Sequence, residues 1–267
     1  MNLISFMYIT NRPKVAKICE NAGVERIFVD MEWKGKAIRQ GHLDSVKSFH
    51  TLDDVAKIRK VLKRSKLLVR VNPVDDNTPT EVSGAIEAGA DILMLPMART
   101  CDDVQQFLDA VGGRVKTVLL LETRWAKENI DSILGAGGID EVHIGLNDLS
   151  LDYGYPFMFT PLANGIVENL CSRISKFSIP YGFGGIGRLG EGRMPAERIL
   201  MEHVRLGSTR VILSRSFYNS TKVQDLTEAK DTFDIELGRI RDAETVYRKK
   251  TREDLLTNLS YIKRLCS

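Results

Sequence analysis

Two acidic residues, Glu122 and Asp148, stand where the chain leaves buried apolar runs. Glu122 ends the run Thr117-Val-Leu-Leu-Leu-Glu, and Asp148 lies near the end of Val142-His-Ile-Gly-Leu-Asn-Asp-Leu, 26 residues further on. That spacing is typical of one strand-helix-strand unit, so we expect both carboxylates at the carboxyl ends of neighbouring parallel strands. Two hard oxygen ligands at one mouth indicate a divalent metal site and favour an enzyme.

The elements that must position these residues alternate regularly along the chain. Eight apolar runs predict strands, and they are Leu3–Ile9, Arg26–Met31, Lys66–Val71, Ile92–Leu95, Val115–Leu121, Glu141–Ile144, Ile179–Phe183 and Arg210–Leu213. Segments of helical period lie between them, and they are Val15–Asn21, Leu52–Leu62, Thr80–Ala88, Asp102–Ala110, Asn129–Leu134, Leu162–Phe177 and Ala196–Leu206. The pattern favours an α/β fold of the closed (β/α)₈ TIM barrel type over a doubly wound open sheet.

The end of the chain departs from this alternation. We predict a barrel domain over residues 1–221 and a charged, helical C-terminal extension over residues 222–267. The extension is either a final barrel helix followed by a solvated helix or a subunit-docking element, because it is longer than barrel closure needs.

Composition excludes several classes of protein. The chain has 267 residues, is 43% hydrophobic and carries a net charge near +3, which predicts a globular domain with neither a nucleic acid nor an anionic membrane as partner. The apolar N-terminus is too short for a membrane span and lacks the basic lead of a signal peptide. Four scattered cysteines without C-x-x-C spacing predict reduced thiols in a cytoplasmic protein.

Other strand ends add charge to the same mouth. Strand two ends with Asp30 and Glu32, and strand three ends with Arg70. Carboxylates crowded at one place repel each other unless a cation relieves them. Arg70 supplies a positive charge that can hold an anionic substrate or a developing oxyanion.

These segments resemble the HpcH/HpaI aldolase and citrate lyase β-subunit family, a branch of the phosphoenolpyruvate/pyruvate superfamily of barrels. The resemblance runs in register from Phe28 to Gly154 and weakens to about Ser216. It rests on Phe28-Val-Asp-Met-Glu, Val69-Arg-Val-Asn, Glu87-Ala-Gly-Ala-Asp-Ile-Leu-Met-Leu-Pro-Met, Leu121-Glu-Thr and Ile144-Gly-Leu-Asn-Asp-Leu-Ser.

The resemblance implies a metal-dependent carbon-carbon lyase of the pyruvate aldolase type. Glu122 and Asp148 would hold Mg²⁺ or Mn²⁺, with Co²⁺ as a further option, and Arg70 would steady the enolate of pyruvate or a related 2-oxo acid and the oxygen of an aldehyde partner. The pyruvate pocket would be lined by backbone near Pro96, Met97, Leu146 and Asn147. The resemblance also implies a homo-oligomer, a trimer or hexamer.

Two positions depart from the aldolase branch of this family. Trp33 stands where that branch has a histidine that handles protons, and Leu120 stands where it often has a glutamine near pyruvate. The remaining candidates for acid-base catalysis are Asp30, Glu32, Glu87 and two histidines of the following loop, His42 and His50.

A glycine-rich segment, Gly182-Phe-Gly-Gly-Ile-Gly, matches G-x-G-x-x-G after a strand. Dinucleotide binding is disfavoured because no helix starts directly after it. The loops after strands seven and eight of a barrel often bind phosphate, so we expect Gly185 and Arg188, with Arg193 and Ser214 to Arg215, to contact a phosphorylated or sugar-like aldehyde. The polar loop 34–50 could act as a lid over that acceptor or be a solvated loop.

Two other functions stay open at this stage. The lost histidine and the Asp-Met-Glu sequence lean toward an acyl-CoA or citryl-type lyase. A non-catalytic barrel that binds a keto acid or a partner protein is a third possibility.

Overall fold

The computed structural model describes residues 3–35, 50–220, 223 and 225–267. Its eight strands are all parallel and close in sequence order into one barrel, which confirms the predicted (β/α)₈ fold. The strands are β1 Ser5–Ile9, β2 Arg26–Asp30, β3 Lys66–Arg70, β4 Ile92–Leu95, β5 Lys116–Leu121, β6 Glu141–Ile144, β7 Tyr181–Ile186 and β8 Arg210–Leu213.

Helices surround the barrel and connect its strands. Within the described residues they are α1 Pro13–Ala22, α2 Leu52–Val61, α3 Thr78–Glu87, α4 Cys101–Val111, α5 Arg124–Gly135, α6 Leu146–Tyr153, α7 Thr160–Ala163, α8 Ile166–Ser175, α9 Ala196–Arg205, α10 Leu226–Tyr247 and α11 Arg252–Cys266. The predicted helix Leu162–Phe177 is two helices, because Gly165 adopts φ 88 between them and interrupts the helical backbone.

Inward-facing side chains of the strands form layers inside the barrel. Side chains two residues apart share a face, so Phe28, Leu68 and Leu120 form part of an inner apolar layer one step below Asp30, Arg70 and Glu122. One step further down is a buried ion cluster. Arg26 donates to both oxygens of Glu141 at 2.7 and 2.8 Å, and Arg210 donates to Glu141 at 3.1 Å. The barrel interior is therefore filled below Asp30, Arg70 and Glu122, and these side chains lie at the carboxyl end of the strands, where barrels of this type form their sites.

Strand β7 has a register shift between Gly182 and Gly185. A methyl group added at Gly182 would lie 2.1 Å from the Arg210 carbonyl oxygen, so the close approach of β7 and β8 requires glycine there. The glycine-rich segment is thus part of the barrel wall.

The C-terminal helices pack on the barrel, and α10 completes its outer ring. Helix α10 packs against α1 and α9, and α11 packs on α9 and α7. Glu244 of α10 is fully buried and accepts the Ile4 N–H at 2.9 Å, while Arg241 donates to the Ile4 carbonyl at 2.5 Å. Within the predicted extension, only α11 is additional to the eight-helix ring.

One buried acid stabilises the amino end of the barrel. Glu20 of α1 accepts the N–H groups of Lys63, Arg64 and Ser65 through one oxygen at 2.7, 2.6 and 3.0 Å, and Lys17 donates to the other oxygen at 2.8 Å. Burial alone would raise the Glu20 pKa, but these donors outweigh it and lower the pKa to about 2.

We expect Glu20→Ala to lower the free energy of unfolding by about 3 kcal/mol, because three backbone N–H groups, one buried and two partly buried, lose their acceptor. Urea denaturation at neutral pH measures this loss. A carboxylate with a lowered pKa stabilises the fold fully above pH 4.5 and loses this effect as the pH falls toward 2. The difference in unfolding free energy between Glu20→Ala and wild type should therefore shrink in acid. Glu87→Ala, an exposed change at the same barrel end, is the matched control, and an equal loss there would contradict the assignment.

No helix in the described ranges is both long and apolar enough to cross a membrane. All four cysteines lie in these ranges and are free thiols, as predicted, with Cys19 and Cys171 buried and Cys101 exposed.

Candidate active site

The site begins with an ion pair between the last residues of β2 and β3. Asp30 and Arg70 are paired in the strand register, and their side chains meet inside the barrel mouth. Arg70 Nε donates to Asp30 Oδ1 and Arg70 Nη2 to Asp30 Oδ2, both at 2.8 Å. This bidentate pairing fixes the plane of the guanidinium.

Glu32 joins the same pair from the segment after β2. Its N–H donates to Asp30 Oδ1 at 3.2 Å, and its Oε2 lies 3.2 Å from Arg70 Nη1. Burial alone would lower the Arg70 pKa, but the negative charges of Asp30, Glu32 and Glu122 raise it above its ordinary value. Arg70 is therefore a fixed cation between buried acids, with the Phe28 ring 5.7 Å below it.

Asn72, just after β3, holds the turn that follows β2. Its side-chain oxygen accepts the N–H groups of Trp33 and Lys34, each at 3.0 Å, and its amide donates to Glu81 at 2.7 Å. The Trp33 side chain is 57% exposed at this turn. Trp33 thus occupies the lip of the mouth, where it offers no titratable group.

Glu122 lies directly after β5 and is only 2% exposed. The Met97 N–H donates to Glu122 Oε1 at 3.1 Å, and Met97 itself adopts a left-handed φ of 51. On the other side, a methyl group at Gly145 would lie 2.9 Å from Glu122 Oε2. The carboxylate therefore fits between a strained backbone N–H donor and a residue that must be small.

Asp148 reaches the same place from the first turn of α6, which starts directly after β6 with Gly145 as its N-cap. Asp148 is 9% exposed, and a carboxylate near a helix N-terminus is stabilised by the free N–H groups there. Burial and then the charges of Asp148 and Glu32 raise the Glu122 pKa to about 8, and Arg70 only partly offsets them. The charge of Asp148 thus adds to burial in disfavouring a second negative charge on Glu122.

This pair of acids fits a divalent cation. Both offer hard oxygen donors, and a cation between them would offset the burial and the repulsion that together raise the Glu122 pKa. The described residues contain no group of three or more histidine, cysteine, aspartate or glutamate side chains that could hold a metal. A metal here would take two protein ligands and leave its other positions to water and substrate.

Metal-free protein is expected to become less stable as pH rises. Because the Glu122 pKa is raised, Glu122 keeps its proton in the folded state at pH values above 4.5. In the unfolded state, where the pKa has its ordinary value of 4.5, the same carboxyl has already lost that proton. The free energy of unfolding should therefore fall between about pH 4.5 and 8, and thermal melts in chelator measure the slope. Glu122→Gln, which cannot ionise, should flatten this dependence, and an unchanged slope in that variant would contradict it.

Several residues predicted to bind substrate lie around the two acids. Pro96 and Met97 follow β4 and are buried beside Glu122, and Leu146 and Asn147 start α6. Leu120 lies one pleat below Glu122, opposite His143 of β6 in the register. The floor on this side combines an apolar leucine with a buried histidine, whose Nε2 donates to the Gly184 carbonyl at 3.1 Å.

The predicted phosphate contacts have other roles in this structure. Gly185 pairs with Ile212 of β8, and Arg188 Nε donates to the Phe217 carbonyl at 2.8 Å, so Arg188 ties the β7 loop to the β8 loop. Arg193 lies over the Phe157 ring at 4.4 Å. Their contact with a phosphorylated acceptor stays a prediction.

One prediction needs correction. Glu87 is the exposed last residue of α3 and precedes β4, so it lies at the amino end of the barrel, opposite the mouth of its own subunit. The distance along β4 separates it from Arg70 and Glu122. His42 lies outside the described residues.

Some residues of the site were not assigned a role from the sequence. Asn72 and Gly145 appeared only as parts of motifs. The position of Asn72 just after a strand could have indicated a role in holding the mouth, and the position of Gly145 after the strand next to Glu122 could have indicated a close contact with that acid. His50 differs from these two residues because it was a predicted acid-base candidate; its Nδ1 accepts the Asp30 N–H at 3.0 Å.

Curated relatives share part of the chain. The 2-keto-3-deoxy-L-rhamnonate aldolase of Shigella dysenteriae serotype 1 (strain Sd197) is 27% identical over 172 residues, which cover 53% of this chain and 59% of that protein. The protein of the same name from Escherichia coli O157:H7 is 27% identical over 200 residues, covering 63% of this chain and 69% of the relative. The chain thus spans between 59% and 69% of the length of these relatives.

Solved structures show the same architecture. An HpcH/HpaI aldolase from Desulfitobacterium hafniense DCB-2 superposes with a TM-score of 0.63 at 18% identity, covering 85% of this chain and 93% of that one. An HpcH/HpaI aldolase/citrate lyase family protein from Burkholderia cenocepacia J2315 gives 0.64 at 17% identity, covering 86% and 95%. At these identities the likeness shows the fold.

A family model for HpcH/HpaI aldolase/citrate lyase matches residues 5–157, more than half of the chain. The matched part contains the Asp30–Arg70 pair and both acids of the candidate metal site. It supports the enzyme class expected from the sequence, a carbon-carbon lyase. The chain belongs to the HpcH/HpaI aldolase/citrate lyase family.

Proposed function

We propose that this protein is a metal-dependent pyruvate aldolase, a carbon-carbon lyase that joins or cleaves the pyruvate enolate and an aldehyde. The observation that carries the proposal is the placement of two buried acids, Glu122 and Asp148, beside the fixed cation Arg70 at one barrel mouth. The relatives named 2-keto-3-deoxy-L-rhamnonate aldolase support a sugar-like aldehyde as the partner.

Glu122 and Asp148 would hold a divalent metal, Mg²⁺ or Mn²⁺, with Co²⁺ as a further option. When bound, such an ion supplies Lewis acidity at the keto oxygen of pyruvate, which lowers the cost of losing a methyl proton. The Met97 N–H, held at 3.1 Å from Glu122 Oε1, keeps that carboxylate oriented.

Arg70 is positioned for charge that develops on oxygen. Its Nε and Nη2 are used by Asp30, and Nη1 faces Glu32, so its orientation is set before substrate arrives. A preoriented cation in a buried site stabilises an enolate or alkoxide without reorganising during the reaction. Glu32, 1% exposed and 3.2 Å from Arg70 Nη1, is the carboxylate we propose to move a proton at this mouth.

Solvent deuterium exchange at the pyruvate methyl group tests the proposal without requiring the correct aldehyde. Purified protein with Mg²⁺, Mn²⁺ or Co²⁺ should exchange the methyl protons, followed by NMR, and exchange should stop in chelator. Glu122→Gln should lose exchange, whereas Lys57→Gln, an exposed change on α2, should keep it. No exchange with any of the three metals would refute the proposal.

A second candidate is a lyase acting on an acyl-CoA or citryl-type thioester. The exposed Trp33 ring at the lip, in place of a proton-handling histidine, is the observation that favours it. Binding of a thioester to wild-type protein, with no pyruvate exchange, would support this candidate. Unchanged keto-acid binding in Asp148→Ala protein that has lost its metal would instead support a non-catalytic barrel.

We also propose that the chain forms a homo-oligomer, a trimer or hexamer. Apolar side chains are exposed on the C-terminal helices, with Ile235 at 60% and Val246 at 57% on α10. These lie 11 residues apart and so share a helix face. Light scattering of Ile235→Lys and wild-type protein tests whether α10 is the docking element. A cytoplasmic location stays a prediction.

A further inference from the structure

The turn between β4 and α4 contains a backbone N–H group that has no hydrogen-bond partner. This turn, residues 96–100, lies at the barrel mouth, and Pro96 has no N–H to pair. Three further N–H groups of the turn have acceptors at 2.7 to 3.1 Å, and these pairs are Met97 with Glu122 Oε1, Arg99 with Asp103 Oδ2 and Thr100 with Asp103 Oδ2. The Ala98 N–H has no acceptor among the described residues of the chain.

An unpaired N–H is unusual at a position as buried as Ala98, which is 2% exposed. Buried backbone donors are almost always paired, and an exception in a folded protein calls for a specific reason. The residue before it, Met97, is one of two non-glycine residues with a positive φ in the described ranges. Backbone strain of this kind clusters at active sites and ligand-binding turns. This turn combines the strain and the unpaired donor in consecutive residues.

The conformation of Met97 places the Ala98 N–H beside Glu122. A φ of 51 puts Met97 in the left-handed region, where ψ is about 30° to 60°. In this conformation consecutive N–H groups point to the same side of the chain, and their nitrogens lie about 3 Å apart. Because Met97 N is 3.1 Å from Glu122 Oε1, the Ala98 nitrogen lies within about 6 Å of that oxygen. The unpaired donor therefore faces the same side of the turn as the acid that we propose as a metal ligand.

Two consecutive residues after β5 hold this turn in place. Glu122 accepts the Met97 N–H, and the Thr123 hydroxyl donates to the Ala98 carbonyl at 2.9 Å. Thr123 is 4% exposed and is itself fixed, because its hydroxyl also accepts the Ala126 N–H at 3.1 Å as the N-cap of α5. The Ala98 N–H is thus preoriented before any ligand binds.

We propose that the Ala98 N–H donates a hydrogen bond to the carboxylate of the bound 2-oxo acid. This inference rests on the proposed aldolase function. The keto oxygen, whose charge changes during the reaction, is the group assigned to Arg70 and the metal, so the carboxylate is the remaining anionic acceptor. A hydrogen bond to a charged group is stronger than one between neutral groups, which offsets the cost of keeping this donor unpaired in the free protein.

Such a bond acts mainly on substrate binding. The carboxylate keeps its negative charge from binding until release, so the hydrogen bond stabilises the bound substrate and the transition state equally. An interaction of this kind changes KM and leaves kcat nearly unchanged. The Ala98 N–H therefore differs in its expected kinetics from Arg70, which serves charge that develops during the reaction.

An amide-to-ester replacement removes this donor and little else. In Ala98→lactate an ester oxygen takes the place of the N–H, and the Met97 carbonyl of the same group accepts no hydrogen bond from the described residues. In the presence of Mg²⁺, we expect KM for pyruvate methyl exchange to rise by about 10- to 100-fold, the worth of one hydrogen bond to a charged group. Isothermal titration should show the same increase in Kd for pyruvate, and kcat should stay within about threefold.

A matched ester and a measurement of stability separate this role from a structural one. Gly113→glycolate, the same chemical change in an exposed turn at the amino end of the barrel, should leave KM and Kd unchanged. Melting temperatures of Ala98→lactate and wild-type protein should agree within about 3 °C, because the fold loses no hydrogen bond. A larger fall in melting temperature, an unchanged KM, or a loss confined to kcat would each overturn the proposed carboxylate contact.

The wild-type protein separates this inference from the aldolase proposal. Absence of methyl exchange with Mg²⁺, Mn²⁺ or Co²⁺ would refute the aldolase function. Titration of pyruvate would then still decide whether the Ala98 N–H binds its carboxylate, since binding needs no turnover.

Discussion

Arg70→Lys is expected to lower kcat/KM for pyruvate aldol chemistry by about 10³-fold, the upper range for loss of one preoriented donor to an oxyanion. Arg70 uses separate nitrogens for Asp30 and Glu32, and lysine offers only a point charge. Steady-state kinetics with saturating Mg²⁺ or Mn²⁺ measure the loss, and most of it should appear in kcat.

Stability measurements separate this catalytic effect from unfolding. Lysine keeps a positive charge beside two acids that are almost completely buried, so urea denaturation should show a modest change, whereas Arg70→Met would leave both acids uncompensated and cost about 3 to 5 kcal/mol. The control is Arg59→Lys, which pairs with Asp91 at the opposite barrel end. Similar activity losses in both lysine variants would contradict a specific role for Arg70.

Gly145→Ala should lower metal affinity and kcat/KM by about 100-fold while the barrel stays folded. The added methyl group would lie 2.9 Å from Glu122 Oε2 and 3.0 Å from Glu122 Cβ, so the carboxylate has to move. Small displacements of a catalytic group cost factors of this size. Isothermal titration with Mn²⁺ and steady-state kinetics measure the two effects.

The backbone at Gly145 makes this a clean experiment. Its φ of −82 and ψ of 95 suit alanine, so the substitution tests the contact with Glu122 and not backbone strain. Gly238→Ala in α10 is the matched control because its added methyl group would have no neighbour within 4 Å. It should leave kinetics unchanged and stabilise the helix by up to about 1 kcal/mol. Unchanged Mn²⁺ affinity in Gly145→Ala would refute the tight fit.

The barrel was predictable from sequence because buried parallel strands are continuous apolar runs. The observed bounds of β4, β6 and β8 match the predicted ones. The strand-end rule also placed Asp30, Arg70 and Glu122 together before any contact was known, since carboxyl ends of barrel strands meet at one mouth.

Other parts depend on contacts that local patterns do not contain. Helix α6 was not predicted, because the eight residues Leu146–Tyr153 include asparagine and aspartate and follow an apolar run without a clear period. The Trp33–Asn72 and Asp30–His50 hydrogen bonds join residues 39 and 20 positions apart. For Glu87, by contrast, the sequence held enough information to avoid the wrong prediction. It lies at the end of a predicted helix just before β4, and that position is at the amino end of the barrel, away from the mouth.

The bond between Glu244 and the Ile4 N–H has a consequence for synthesis of the chain. Strand β1 is made long before its partners, since it pairs with β8 and the residue before it, Ile4, is bound by a helix residue 240 positions later. Contacts of such sequence separation form slowly, because a long loop must close before they are made. During synthesis one edge of β1 therefore stays unpaired until β8 has emerged from the ribosome. A cell that makes this barrel in quantity has to protect that edge from other chains for most of the time of translation.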